Sequence, residues 1–119
     1  MQKTPYALLI YRTAPEEPAA EMAERALVGH RALQSEARAA DELHAVAKLA
    51  GTETAKTVRR RGGAHEVTDG PYIDTKEWLV GFYLLDCADE TEALARARTI
   101  CPLEDHVIEV RPVSWMWQM

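Results

Sequence analysis

Trp78-Leu79-Val80-Gly81-Phe82-Tyr83-Leu84-Leu85-Asp86 is aromatic or aliphatic almost throughout, the composition of a well-covered strand. Gly81 in its middle marks a bulge or a close backbone approach. Downstream, Asp89-Glu90-Thr91-Glu92 offers an acidic N-cap with Glu at the third helical position, close to a capping box. Ala93, Leu94, Ala97 and Ile100 then make the inner face of a helix, Pro102 stops it, and His106 to Val113 forms a last strand. Upstream, Asp69-Gly70-Pro71-Tyr72 is a tight turn. Before it, Thr57 to Arg61, Gly62-Gly63 and Ala64 to Thr68 read as a hairpin, the glycine pair supplying the positive φ angles of a primed turn.

The first third of the chain mirrors this pattern. Pro5 to Arg12 is a nearly continuous apolar run of strand formers. Pro15 and Pro18 punctuate the next segment, and Pro18 suits the first turn of a helix. From Ala19 to Ala40 a stripe through Met22, Ala26, Leu33 and Ala37 recurs at helical spacing, with His30 on the same side. Alanine-rich faces of this kind permit close approach to a sheet. Leu43 to Leu49 reads as a strand, broken by Gly51-Thr52-Glu53. The order is strand, helix, strand, inserted hairpin, strand, helix, strand. It predicts an α+β, ferredoxin-like βαββαβ fold over residues 1–119, a single domain with two helices on one face of an antiparallel sheet.

Bulk properties narrow the function classes. A chain of 119 residues with 47% hydrophobic and 28% charged residues has ordinary globular proportions. The formal net charge of −5 opposes a nucleic-acid role, which needs a field of the other sign. Arg59-Arg60-Arg61 does not reverse that, because a strand sends the middle side chain to the opposite face. No apolar stretch approaches the roughly 20 residues that span a bilayer. The N-terminus does not resemble a signal peptide and Cys87 and Cys101 form no metal or disulfide pattern, so a cytoplasmic protein with reduced thiols is expected. The apolar tail Ser114-Trp115-Met116-Trp117-Gln118-Met119 is expected to pack on its own domain or on a partner subunit.

Val67-Thr68-Asp69-Gly70-Pro71-Tyr72-Ile73-Asp74-Thr75-Lys76-Glu77, followed by Gly81-Phe82-Tyr83, resembles the signature of the DGPF-domain branch of the YCII-related family. Leu8-Leu9-Ile10-Tyr11, Thr57-Val58-Arg59 and Val110-Arg111-Pro112-Val113 match it too, so the resemblance covers almost the whole chain. Tyr72 stands where Phe is usual, and Ile73-Asp74 where Ala-Glu is common. The resemblance implies a homodimeric α+β barrel, two ferredoxin-like subunits packing their sheets together. It also implies frequent genomic proximity to sigma factors of the extracytoplasmic-function class. It supplies no settled activity.

Candidate chemistry gathers at two places. The wider family implies a His-Asp pair, here His30 with Asp41 or Glu42. A carboxylate there would fix the ring tautomer and leave the other nitrogen as a base, whereas the structural alternative is a histidine filling a gap in an alanine-rich interface. Asp69 either holds the loop by accepting backbone N–H groups two residues on, or acts as a base or ligand anchor at a pocket mouth. Arg59, Tyr72 and Lys76 together suit a small anion or acidic metabolite. His30, His44, His65 and His106 are scattered and no pair has helical metal spacing, so no metal or other cofactor is implied. Two functions remain open: a protein that binds or transforms a small metabolite near the Asp69-Gly70-Pro71-Tyr72 loop, or a non-catalytic dimeric module linked to a sigma factor.

Overall fold

The computed structural model describes residues 2–13, 19–73 and 77–117. Along the chain lie β1 (Thr4–Arg12), α1 (Ala20–Ala39), β2 (Leu43–Lys48), a short 3-10 turn (Thr52–Thr54), β3 (Lys56–Arg61), β4 (Ala64–Asp69), β5 (Trp78–Cys87), α2 (Glu90–Thr99) and β6 (His106–Pro112). Every expected element is present within a residue or two. Pro15 and Pro18 lie outside the described residues.

The main sheet runs β2-β5-β1-β6, antiparallel at each pairing. Leaving out the inserted hairpin, this is the strand order of the ferredoxin-like α+β fold. Strand alternation divides the sheet into two faces. Tyr6, Leu8 and Ile10 of β1 and Tyr83, Leu85 and Cys87 of β5 point to one face and are buried. Both helices cover that face, with Leu33, Ala37, Ala93, Ala97 and Ile100 completing the core. The other face carries Ala7, Leu9, Phe82 and Leu84, all only partly buried.

Gly81 combines both expected features. Pairing of β1 with β5 steps from Ile10–Gly81 to Tyr11–Leu79, so Val80 is the extra residue of a bulge. A β-carbon at position 81 would lie 2.7 Å from the Ala47 carbonyl oxygen of β2, which only glycine avoids.

Asp89 caps α2, its side chain accepting the Glu92 N–H at 2.9 Å, while the Glu92 carboxylate accepts the Ala88 N–H at 2.9 Å. A cap of this kind stabilises a helix by about 1 kcal/mol. The inner face of α2 differs from expectation in one respect. Leu94 is 38% exposed, and Arg96 is buried in its place. Positions 93, 96, 97 and 100 share the i, i+3, i+4, i+7 face, so Leu94 falls outside it. Arg96 is tolerated there because Glu42, just after α1, is buried opposite it.

β3 and β4 form a separate two-stranded sheet turned by Gly62 and Gly63, both at positive φ (56° and 82°). All of β4 is exposed, and the cross-strand pair Val58 and Val67 is 66% exposed on each side. The tail is equally open. Trp115 and Trp117 are 76% and 74% exposed, so the expected packing of the tail on its own domain does not occur. Among the described residues no helix is long and apolar enough to cross a membrane.

Candidate functional site

On the sheet-facing side of α1 the residues are Ala23, Ala26, His30, Leu33 and Ala37. Leu33 and Ala37 are buried, but the N-terminal half of this face is not sealed. Ala23, Ala26 and Leu27 instead wall a cleft of about 930 Å³ whose opposite side includes Val46, Trp78 and Val80. The short alanine side chains fail to fill the space over the sheet, so the expected close approach is confined to the second half of the helix.

The polar end of the cleft is assembled from four elements. Arg12 and His106 are register partners on β1 and β6, at the same end of the sheet. His30 comes from α1, and Tyr83 rises from β5 with a side chain that is fully buried. Tyr83's hydroxyl lies 2.7 Å from His30 Nδ1 and accepts from Gln34 Nε2 at 3.2 Å. The His30 and Tyr83 rings are parallel within 3°, with centroids 5.7 Å apart. Arg12 pairs with Asp105 at 3.6 Å. His106 Nδ1 is buried and has no hydrogen-bond partner among the described residues.

Burial disfavours the charged forms here. It pushes His30's pKa down, aided by neighbouring His106, and it pushes Tyr83's up against the opposing hydrogen bond from Gln34. Burial likewise lowers His106, where Asp105 pulls upward and Arg12 downward. The site at neutral pH is a set of neutral imidazoles and a neutral phenol beside the Arg12–Asp105 ion pair. Among the described residues no three His, Cys, Asp or Glu side chains converge as a metal site.

The carboxylate implied for His30 is not there. Asp41 and Glu42 lie 11 and 12 residues further on, and a helix advances about 1.5 Å per residue, so Asp41 is carried roughly 16 Å away. Glu42 instead meets Arg96 Nη2 at 2.5 Å and Lys3 at 2.9 Å. Arg96 also donates to the Asp86 carbonyl at 2.9 Å. Burial would raise the Glu42 carboxyl, but the bonds from Arg96 and Lys3 outweigh it and hold it below its ordinary value. Arg96 Nε is left buried without a partner among the described residues, and none of this second cluster lines the cleft.

The Asp69 loop lies elsewhere. Asp69's side chain is 89% exposed, pairs with Lys56, its register partner across the hairpin, and lines neither cleft. An Asx bond to the residue two positions on is impossible, because that residue is Pro71 and has no N–H. The turn is held by backbone and Thr57 contacts instead. Gly70 N–H donates to the Ala55 carbonyl and Thr57's hydroxyl to the Gly70 carbonyl, each at 2.8 Å, with Gly70 at φ 96°. Arg59 and Tyr72 are brought together, the guanidinium 5.3 Å from the ring centroid. Lys76 lies outside the described residues. Tyr72, Pro71, Thr57 and Trp78 wall a second cleft of about 730 Å³. It adjoins the first across Trp78 and the 49–52 segment.

Sequence reasoning singled out His30 but missed Gln34, Tyr83, Arg12 and His106 as its neighbours. Tyr83 shares its parity with Leu85 and Cys87, which was the available signal. The pairing of Arg12 with His106 depends on register across 94 positions, and no local pattern carries that.

Two comparisons with known proteins agree. The model of the YCII-related domain matches residues 4–117. A protein of Rhizobium meliloti (strain 1021), named only as uncharacterised, is 39% identical over 113 residues, covering 92% of this chain and 91% of its own. With a family model spanning nearly the whole chain and a relative at this identity, the chain belongs to the YCII-related family.

Proposed function

We propose that this protein binds or transforms a small metabolite in the cleft between α1 and the sheet, and that it does so as a homodimer. The observation carrying the first part is the Gln34–Tyr83–His30 chain at the polar end of a cleft with apolar walls. Small-molecule sites have this make-up, mostly apolar lining with a few fixed polar groups. His106 Nδ1, buried without a partner among the described residues, adds a polar atom whose need a ligand can meet. Pro71 and Tyr72, at the end of the Asp69-Gly70-Pro71-Tyr72 loop, line the adjoining cleft, so a longer ligand reaches Tyr72 past Trp78.

Amide chemical-shift mapping with a fragment library tests this. Shifts are expected around Ala26, His30, Trp78 and Tyr83. Shifts confined to Tyr72 and Thr57 would move the site to the second cleft, and a library that perturbs neither region would end the proposal.

The homodimer rests on the open sheet face. Ala7, Leu9, Phe82 and Leu84 are contiguous by register and apolar, as a sheet-to-sheet interface requires. A second copy of the same face would cover them, and the exposed Trp115 and Trp117 lie on the same chain as further apolar surface. Sedimentation at micromolar concentration is expected to give a dimer that Leu84→Glu dissociates. A wild-type monomer would refute it. The exposed tryptophans also favour the alternative of a non-catalytic module acting with a sigma factor. That alternative predicts capture of a sigma factor by the dimer and no ligand in the cleft.

A further inference from the structure

We propose that the Gln34–Tyr83–His30 chain holds His30 as the Nε2–H tautomer, and that the cleft is built to receive a small carboxylate with an apolar body. This rests on the α1 cleft being the binding site. A tyrosine hydroxyl has one proton to donate and two lone pairs to accept with. The Gln34 amide is oriented with Nε2 toward Tyr83, and in that orientation it donates and takes one lone pair of the hydroxyl. The remaining contact is to His30 Nδ1. Were Nδ1 protonated, the Tyr83 oxygen would accept twice and its own proton would lack an acceptor inside a fully buried side chain. With Nδ1 bare, the hydroxyl donates to it and both groups are satisfied. The ring proton then sits on Nε2, on the side away from Tyr83, as a donor and not as the base that a carboxylate partner would have made.

The remaining lining agrees with a ligand that accepts hydrogen bonds. Arg12 and Lys48 are donors only, and Glu53 is the single carboxylate among the described lining residues. Arg12's charge is already met by Asp105, which leaves Lys48 against Glu53, a lining close to neutral that favours a monoanion over a dianion such as phosphate. Leu27, Val46 and Leu49, each about two fifths exposed, face the same cleft and ask for an apolar body on the ligand. Burial lowers His30's affinity for a proton, which keeps the ring neutral at pH 7. Tyr83 is a positioning residue in this scheme and His30 the group that touches the ligand.

The test uses the whole chain and two matched probes, 4-phenylbutyrate and 4-phenylbutyramide, which differ in charge and hardly in shape. The acid is expected to bind at least about tenfold tighter, with shifts at His30 and Trp78. Long-range ¹H–¹⁵N spectra of the histidine rings should give the Nε2–H pattern for His30, and Tyr83→Phe should erase that preference while the protein stays folded. His30→Gln, which returns an amide donor near the Nε2 position, should keep the preference for the acid, and His30→Met should lose it. Equal binding of acid and amide in the cleft would overturn the carboxylate while leaving the cleft as the site. An Nδ1–H pattern in the wild type would overturn the donor role. No shift in the cleft with either probe would overturn both this inference and the site it rests on.

Discussion

The helix-side face of the sheet holds polar groups at both of its ends, and the two ends treat them differently. At one end Arg96, buried on α2, meets Glu42, the Asp86 carbonyl and the Cys87 sulfur, while Lys3 closes the other side of Glu42. At the other, His30, Tyr83 and Gln34 form a chain that satisfies one edge of the imidazole and presents the other to a cleft. Both clusters are buried and titratable, so burial alone does not separate a structural site from a binding site. What separates them is the open volume, since each end keeps a buried unpartnered nitrogen among the described residues but only the His30 end adjoins a described cleft. Arg96 Nε is buried without a partner among the described residues but Arg96 lines neither cleft, whereas the equally unpartnered His106 Nδ1 belongs to a residue of the first cleft's lining.

The largest effect is expected at the Arg96 end. Arg96→Met should cost about 3–5 kcal/mol of stability in a urea titration, because it strips Glu42 of its main partner inside the fold. A loss within about 1 kcal/mol would mean that Lys3 and solvent compensate, and the contrast between the two ends would fail. The acid limb sharpens the point. Glu42's pKa is held below its ordinary 4.5, so its contribution is present above that pH and is lost as pH falls through the folded value. In Arg96→Met burial is less opposed and that pKa should rise. The native state then binds the proton more readily than the unfolded one, so stability should increase, not decrease, as pH falls toward 4.5. Thermal melts of both proteins across this range report the sign.

At the open end the effects are smaller. Tyr83→Phe removes a hydroxyl with two partners and should destabilise by about 1 kcal/mol. Its larger consequence should be on ligand binding and not on folding. His30 and His106 both have lowered pKa values, so their contribution is present above 6.5 and erodes as pH drops below it. His30→Gln should flatten that erosion without moving the Glu42 transition, as two-phase pH–stability curves would reveal. Smallest of all is Asp69→Asn. Its ion pair with Lys56 is exposed, and such pairs contribute roughly 0–1 kcal/mol. An unchanged fold with unchanged cleft binding would show that the Asp69 carboxylate serves neither, while a loss of binding with the fold intact would return it to the site.

The element order was legible because its signals are local: the apolar run from Trp78, the 3.6-residue stripe of α1, the Asp89 cap and the Gly62-Gly63 turn each declare themselves within a few residues. Family membership was legible through the same central stretch. The site was only half legible. His30 stood out as a histidine on an apolar stripe, but its partner comes from a strand 53 positions away, and strand pairing across a bulge decides the meeting. Arg96 was invisible for the same reason, since a buried arginine makes sense only once Glu42 is placed opposite it. Asp69 drew attention as part of a motif, yet composition could not say that it would point into solvent.

The β3–β4 arm has a further consequence for how the chain comes apart. Its cross-strand pairs join residues at most 13 positions apart, and its side chains add almost nothing to the shared core. Few buried contacts and solvated hydrogen bonds put a segment at the low end of local stability. Amide protons of β4 should therefore exchange by opening of the arm alone, while those of β5 wait for the whole domain. At the Gly62-Gly63 tip no atom of the described residues beyond the adjoining chain neighbours lies within 4 Å of where a side chain would begin. A fluorophore or a short peptide can accordingly be inserted there without disturbing either end of the sheet.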